Sequence, residues 1–122
     1  MTEAIESSGI TWGYAMECVT ESEGRKLALR VQGRVDEATW QEFGSSLSAA
    51  VQEASDKELK RLMIDLSELA YMSSRGLRVL TVAKREADEA GIEIELSSPN
   101  DVMREILSIS RYDKLFVVTE RA

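Results

Sequence analysis

Two neighbouring hydroxyls, Ser73 and Ser74, stand where a buried-strand pattern gives way to a helical apolar pattern, in the stretch AYMSSRGLRVL of residues 70–80. A serine at the start of a helix can cap that helix, accept a phosphoryl group, or attack a substrate when a base activates it. Capping is the commonest of these roles and remains an alternative for Ser74, whereas Ser73 is expected mainly to shape the loop. The serine pair is the first candidate for chemistry in this chain.

The complete absence of histidine argues against a catalytic role for these serines. Histidine is the commonest general base, the commonest zinc ligand and the usual partner of a nucleophilic serine. No other base for Ser74 is evident, so no catalytic residue, metal or cofactor is predicted. An enzyme with Ser74 as its nucleophile is kept as a competing hypothesis.

The net charge of −7, from 15 Lys and Arg against 22 Asp and Glu, limits the partners. Nucleic acids and anionic membranes are polyanions that need clustered basic charge, so neither is predicted to bind. A neutral or basic protein suits the chain better. Cys18, the single cysteine, lies in an alternating apolar run typical of the core. Without a disulfide, a signal region or a spanning segment, we expect a cytoplasmic location.

The length of 122 residues fits one domain, which we place at residues 14–120 after a partly flexible tail of residues 1–13. Strand and helix patterns alternate through this domain. Strands are predicted at 14–20, 26–32, 59–66, 92–96 and 115–119, and helices at 37–54, 74–90 and 99–109. The first two strands should form an antiparallel hairpin.

Local signals mark the ends of the helices. Asp36 is placed to cap the first helix, and Gly91 follows the second as a stop. Ser98 is placed to cap the third helix, with Pro99 at its first position.

The strands are apolar at every second position only. Leu27, Leu29 and Val31 alternate with Ala28, Arg30 and Gln32, and the later strands repeat this pattern. A sheet covered on both faces would be apolar throughout, so a doubly wound nucleotide-binding sheet is disfavoured. We predict a sheet with its helices on one face, and Arg30, Gln32, Glu93 and Glu95 directed to the other. The loops at residues 33–36 and 71–74 should then meet at one edge of the sheet.

Several strings in this order and spacing resemble the STAS domain of bacterial anti-sigma factor antagonists. They are residues 33–36 (GRVD), 65–67 (DLS), 71–80 (YMSSRGLRVL) and 112–116 (YDKLF), and the likeness covers roughly residues 14–119. It implies an α/β STAS fold, with a mostly parallel sheet, an antiparallel N-terminal strand and helices on one face. It also implies an anti-sigma factor partner with a histidine-kinase-like ATPase fold, which phosphorylates one serine and thereby releases the antagonist. A serine phosphatase of the PP2C type would reverse this step.

The family motif reads acid, serine, serine, glycine, and its phosphorylated serine falls on Ser74 here, with Ser73 as the alternative. Ser73 stands where the family usually has aspartate, and Arg75 where it has the second serine. The resemblance implies a partner-binding surface made of Asp36, Met72, Ser73, Ser74, Arg75 and Arg78. Arg75 is either an ordinary exposed charge or a partner for a phosphate or an acid. Trp40 and Phe43 are at core spacing and are assigned to packing.

A second class of function remains open beside the phosphorylation switch. In it, the domain senses a small ligand or assembles a signalling complex, and the serines carry no switch.

Overall fold

The computed structural model describes residues 17–23 as a backbone strand and residues 26–120 in full. The strands are β1 (Glu17–Glu23), β2 (Lys26–Val35), β3 (Arg61–Asp65), β4 (Leu69–Met72), β5 (Glu93–Ser97) and β6 (Val117–Thr119). The helices are α1 (Trp40–Asp56), α2 (Ser74–Glu89) and α3 (Asp101–Ile109), and a 3₁₀ helix covers Tyr112–Lys114. The predicted tail of residues 1–13 and the side chain of Cys18 lie outside the described residues.

The sheet has the strand order β1-β2-β3-β5-β6. β1 is antiparallel to β2, and the other pairs are parallel, as predicted. The three crossovers through α1, α2 and α3 all step in the same direction, so their right-handedness places the helices on one face. Apolar side chains of all three helices and of the strands form one core. The predicted one-sided α/β architecture is confirmed.

The other face of the sheet carries the predicted polar residues, but it is unevenly exposed. Glu93 is exposed, whereas Arg30 and Gln32 are half-buried. Glu95 is 8% exposed, and its Oε2 accepts a hydrogen bond from the Thr119 hydroxyl at 2.9 Å. The burial of Glu95 follows from its strand, because β5 lies inside the sheet between β3 and β6.

The largest departure from prediction lies at the end of β2. The sequence pattern predicts that this strand ends at Gln32 and that residues 71–74 form a loop, whereas β2 continues to Val35 and pairs there with β4. Gly33 permits this extension with a φ of +96°, and the register shifts directly after it. The remaining predicted elements are present with ends moved by a few residues.

The ends of α2 and α3 test the predicted caps. α2 stops as predicted, because Gly91 takes a φ of +74° and the Ile92 N–H returns to the Ala87 carbonyl at 2.8 Å. The cap predicted for α3 is wrong: Asn100, not Ser98, is its N-cap. The Asn100 amide accepts from the Met103 N–H at 2.8 Å and donates to the Leu69 carbonyl at 2.8 Å. Such a side chain joins α3 to β4 while it caps the helix.

We expect Asn100→Ala to lower the free energy of unfolding by about 1–2 kcal/mol, because it removes a helix cap and a hydrogen bond to β4 together. Asn100→Ser is the matched variant, since a hydroxyl restores the cap without reaching Leu69. Asn100→Ser should therefore lose less free energy of unfolding than Asn100→Ala. Urea denaturation measures both, and wild-type stability in Asn100→Ala would contradict the assigned role.

Candidate functional site

The ends of β2 and β4 bring the two predicted loops to one edge of the sheet. Val35 pairs with Met72, and the Ser73 N–H donates to the Val35 carbonyl at 2.8 Å. The loop that begins at Asp36 therefore lies beside the start of α2. This juxtaposition is the one that parallel topology predicts.

The two serines have different structural roles. Ser73 is the N-cap of α2, and its Oγ accepts a hydrogen bond from the Gly76 N–H at 3.3 Å. Ser74 is the first residue of the helix and is exposed. Within residues 26–120, no hydrogen bond of its hydroxyl is found. The cap and the free hydroxyl are thus separate groups.

Asp36 shapes the loop before α1 instead of capping α1 directly. Its Oδ1 accepts from the Ala38 N–H at 3.0 Å, and its Oδ2 lies 3.2 Å from the Nε of Arg34. α1 begins at Trp40, later than predicted, after a turn closed by the bond from the Trp40 N–H to the Asp36 carbonyl at 2.9 Å. Thr39 is the N-cap residue but makes no side-chain cap bond. The predicted helix cap is therefore wrong, and the carboxylate stabilises a turn.

The Ala38 N–H, assisted by Arg34, holds the pKa of Asp36 below its ordinary value of 3.8. A carboxyl group with a lowered pKa stabilises the fold above its ordinary pKa, and this stabilisation is lost as the pH falls through the lowered value. We expect Asp36→Ala to reduce the free energy of unfolding by about 1 kcal/mol at neutral pH, the size of one lost hydrogen bond in the turn. In strong acid the difference from wild type should shrink.

Thermal melting of both proteins from neutral to strongly acidic pH checks this expectation. Asp36→Asn is the control, because it keeps the Oδ1 acceptor for Ala38 and should lose less stability. A difference between wild type and Asp36→Ala that stays constant over the whole pH range would contradict the role of the ionised carboxylate.

Two cation–π contacts and an ion pair join elements at this edge of the sheet. The Nε of Arg75 lies 3.2 Å from Oε1 of Glu37, and its guanidinium lies 5.1 Å from the centre of the Trp40 ring. Arg34 lies over the ring of Tyr71 at 4.9 Å. No local sequence pattern predicts either cation–π pair, because each joins residues that are far apart in the chain. Arg75, at the start of α2, is thereby held against the start of α1.

Met72 and Gly76 support this edge from beneath. Met72, expected at the partner surface, is only 2% exposed, so its side chain lies in the core. A Cβ at Gly76 would lie 2.5 Å from Cγ of Met72 and 2.7 Å from Cγ1 of Val35. Glycine therefore lets α2 begin in contact with β2 and β4. Arg78, the other predicted partner residue of α2, is exposed.

A groove of about 540 Å³ runs between α1 and α2 and begins at Ser74. Trp40 and Gly44 line it on α1, and Arg78, Val82 and Glu86 line it on α2. Of the two aromatic residues assigned to packing, Phe43 is fully buried, whereas Trp40 is half-buried and borders the groove.

The described residues offer an exposed hydroxyl, hydrogen bonding and charge pairing at this edge. Among residues 26–120, no carboxylate or amine bonds to the Ser74 hydroxyl. No group of three or more Cys, Asp or Glu in this part of the chain is placed to hold a metal ion. None of its helices is both long enough and apolar enough to cross a membrane.

A mostly parallel sheet with an antiparallel first strand and its helices on one face is also the fold of solved anti-sigma factor antagonists. The family model described as "Mlab, STAS domain" matches residues 18–119. The chain belongs to the STAS-domain family of bacterial anti-sigma factor antagonists.

One relative supports this membership, and two solved structures share the fold. BtrV of Bordetella bronchiseptica, named as an anti-sigma factor antagonist, is 32% identical over 88 residues, which is 72% of each chain. The crystal structure of an anti-sigma factor antagonist from Mycobacterium paratuberculosis superposes with a TM-score of 0.75 at 19% identity, covering 86% of both chains. Phosphorylated SpoIIAA of Bacillus gives a TM-score of 0.61 at 17% identity, covering 84% of this chain and 90% of that one.

Proposed function

We propose that this protein binds an anti-sigma factor in a partner-switching pathway and is released by phosphorylation of Ser74. The observation that carries the proposal is that the two serines have different structural roles. Ser73 caps α2, and Ser74 is exposed beside it. A phosphate on Ser74 adds a charge of about −1.5 to −2 at the positive end of the helix. The fold can tolerate this charge while the surface offered to a partner changes.

The partner proposed here is an anti-sigma factor with a histidine-kinase-like ATPase fold that acts as a serine kinase. It transfers the terminal phosphoryl group of ATP to the Ser74 Oγ, with loss of the hydroxyl proton and release of ADP. A PP2C-type phosphatase hydrolyses the ester to serine and inorganic phosphate. The name of the relative BtrV and the phosphorylated form of SpoIIAA support this proposal by family likeness.

The binding surface consists of the exposed edge formed by Asp36, Ser73, Ser74, Arg75 and Arg78, with Met72 beneath it. A partner packed over Ser74 would meet a hydrated dianion after phosphorylation. Burying such a group unpaired costs several kcal/mol, roughly the size needed to release a partner. Release then needs no refolding of the domain.

Phosphosite mapping tests the proposal. The protein is incubated with each purified histidine-kinase-like protein of the source genome, with and without ATP, and the modified residue is identified by mass spectrometry. We expect phosphate on Ser74 and dissociation of the complex with ATP. Phosphate on Ser73 alone would move the switch to the cap residue.

Two other outcomes would replace the proposal. Stable binding without any modification would favour sensing or scaffolding, the function to which the replacement of the second family serine by Arg75 points. Labelling of Ser74 by a fluorophosphonate would favour a hydrolytic enzyme. Within residues 26–120 no base bonds to the Ser74 hydroxyl, so the described residues do not favour nucleophilic catalysis over phosphorylation.

A further inference from the structure

We propose that the groove between α1 and α2 binds a segment of the anti-sigma factor that carries an aliphatic side chain, with carboxylates at its Ser74 end. This inference rests on the proposed function and specifies the chemistry of the partner. It is drawn from the shape of the groove and from the charges at its two ends.

The shape of the groove follows from the residues that α1 presents to it. Trp40, Gly44 and Ser48 repeat every four residues, so they lie along one face of α1. Small residues follow the large ring of Trp40 and leave a gap beside it. On α2 the gap is bordered by Val79 and by Val82, which is 46% exposed. A gap of this size and lining fits an aliphatic side chain.

The two ends of the groove carry opposite charges. Arg75 and Arg78 lie at the Ser74 end, and Glu86 lies at the other end, where Ser48 donates to its Oε1 at 3.3 Å. Within residues 26–120, Arg78 forms no ion pair, and the exposed Glu37 is the one ion-pair partner of Arg75, whose guanidinium also contacts the Trp40 ring. Two guanidinium groups at one end of the groove, in a chain of net charge −7, select carboxylates on the partner.

The same charges explain how a phosphate on Ser74 would act on this segment. Arg75 follows Ser74 directly, and Arg78 lies one turn further along the same face of α2. Side chains of a helix lean toward its N-terminus, so the Arg78 guanidinium is directed toward the turn of Ser74. A phosphate there competes with the carboxylates of the partner for both guanidinium groups. Phosphorylation and the docked segment therefore exclude each other.

The test measures the dissociation constant between the full chain and the purified histidine-kinase-like protein that binds it. Gly44→Leu fills the groove, and its neighbour Ser45→Leu is the control, because Ser45 is exposed and does not line the groove. Arg78→Glu reverses a charge at the groove, and Arg85→Glu makes the same change on the same helix outside it. Circular dichroism confirms that all four variants are folded.

We expect Gly44→Leu and Arg78→Glu each to weaken binding by roughly tenfold or more, and both controls to bind like wild type. Added salt should weaken wild-type binding more than that of Arg78→Glu, because it screens the charge pair. A photo-crosslinking residue at Val82 should label a partner peptide that carries an aliphatic residue near Asp or Glu.

Different experimental results would contradict the groove as a binding site and the proposed function. If Ser74→Asp weakens binding while Gly44→Leu and Arg78→Glu do not, the groove assignment is overturned and Arg78 is removed from the proposed binding surface, whereas the switch at Ser74 stands. A crosslinked peptide without carboxylates also overturns it. If no histidine-kinase-like protein binds the wild-type chain, both proposals fall.

Discussion

Ser74→Asp is expected to weaken binding to the anti-sigma factor by roughly ten- to a hundredfold while the melting temperature stays close to that of wild type. The reason lies in the position of Ser74, which is exposed on the first turn of α2. A negative charge is favourable for the helix at this point but unfavourable for a partner packed over it. Aspartate carries about half the charge of a phosphate, so its effect should be the smaller of the two.

Ser74→Ala is expected to bind the anti-sigma factor like wild type, because it keeps the surface neutral. It also removes the Ser74 Oγ, the oxygen that would accept the phosphoryl group. This variant should stay bound to its kinase in the presence of ATP and take up no phosphate. Isothermal titration calorimetry of the complex and mass spectrometry of the protein give the two readouts.

Two further variants serve as controls for the Ser74 substitutions. Ser73→Ala should cost about 1 kcal/mol of stability through the lost cap and still be phosphorylated on Ser74. Ser45→Asp adds the same charge at an exposed position of α1 outside the groove and should bind like wild type. If Ser74→Asp binds as tightly as wild type, or if Ser73→Ala abolishes phosphorylation, Ser74 is not the switch.

Gly76→Ala is expected to lower the free energy of unfolding by about 1–3 kcal/mol, although alanine is the better helix former. The added Cβ would lie 2.5 Å from Cγ of Met72 and 2.7 Å from Cγ1 of Val35. Met72 and Val35 are both buried, so neither can move away without disturbing the core. The clash therefore outweighs the gain in helix propensity.

Gly44→Ala is the matched variant, since it makes the same chemical change inside α1. A Cβ there would lie 3.6 Å from Cγ2 of Val79, an ordinary van der Waals contact. We expect this variant to gain about 0.5–1 kcal/mol, because glycine is unfavourable inside a helix. Urea denaturation measures both variants, and changes of the same sign would contradict the proposed reason for Gly76.

The Ser74 and Gly76 substitutions separate binding from folding at one edge of the sheet. Ser74 lies on the surface of α2 and should alter the complex without altering the fold. Gly76 faces inward from the same helical turn and should alter the fold first. A loss of stability in Ser74→Asp with unchanged binding, together with weakened binding in Gly76→Ala at wild-type stability, would contradict the structure of this turn.

Local and periodic signals in the sequence were sufficient for most of the fold. The alternation in residues 26–32 predicts a strand with one buried face, and Leu27, Leu29 and Val31 are indeed buried. Gly91 marks the end of α2 because a left-handed residue is needed there, and glycine adopts it at least cost. The serine pair was located at the start of α2 by the same reasoning.

Other features depend on residues that are distant in the sequence. β4 has no strong strand pattern of its own and forms because Gly33 lets β2 bend and continue beside it. The cap of α3 is Asn100 because its amide reaches both Met103 and the Leu69 carbonyl of β4. These contacts exist only after the sheet has assembled.

The sequence by itself determined the order of the helices and of all strands except β4, the one-sided sheet and the serine pair at the start of α2, because period and capping chemistry act over a few neighbouring residues. The tertiary structure decided which serine is used as the cap, where α1 begins, and that Arg75 lies against Trp40. It also formed the groove between α1 and α2. These features depend on how distant segments pack, and no local pattern encodes that packing.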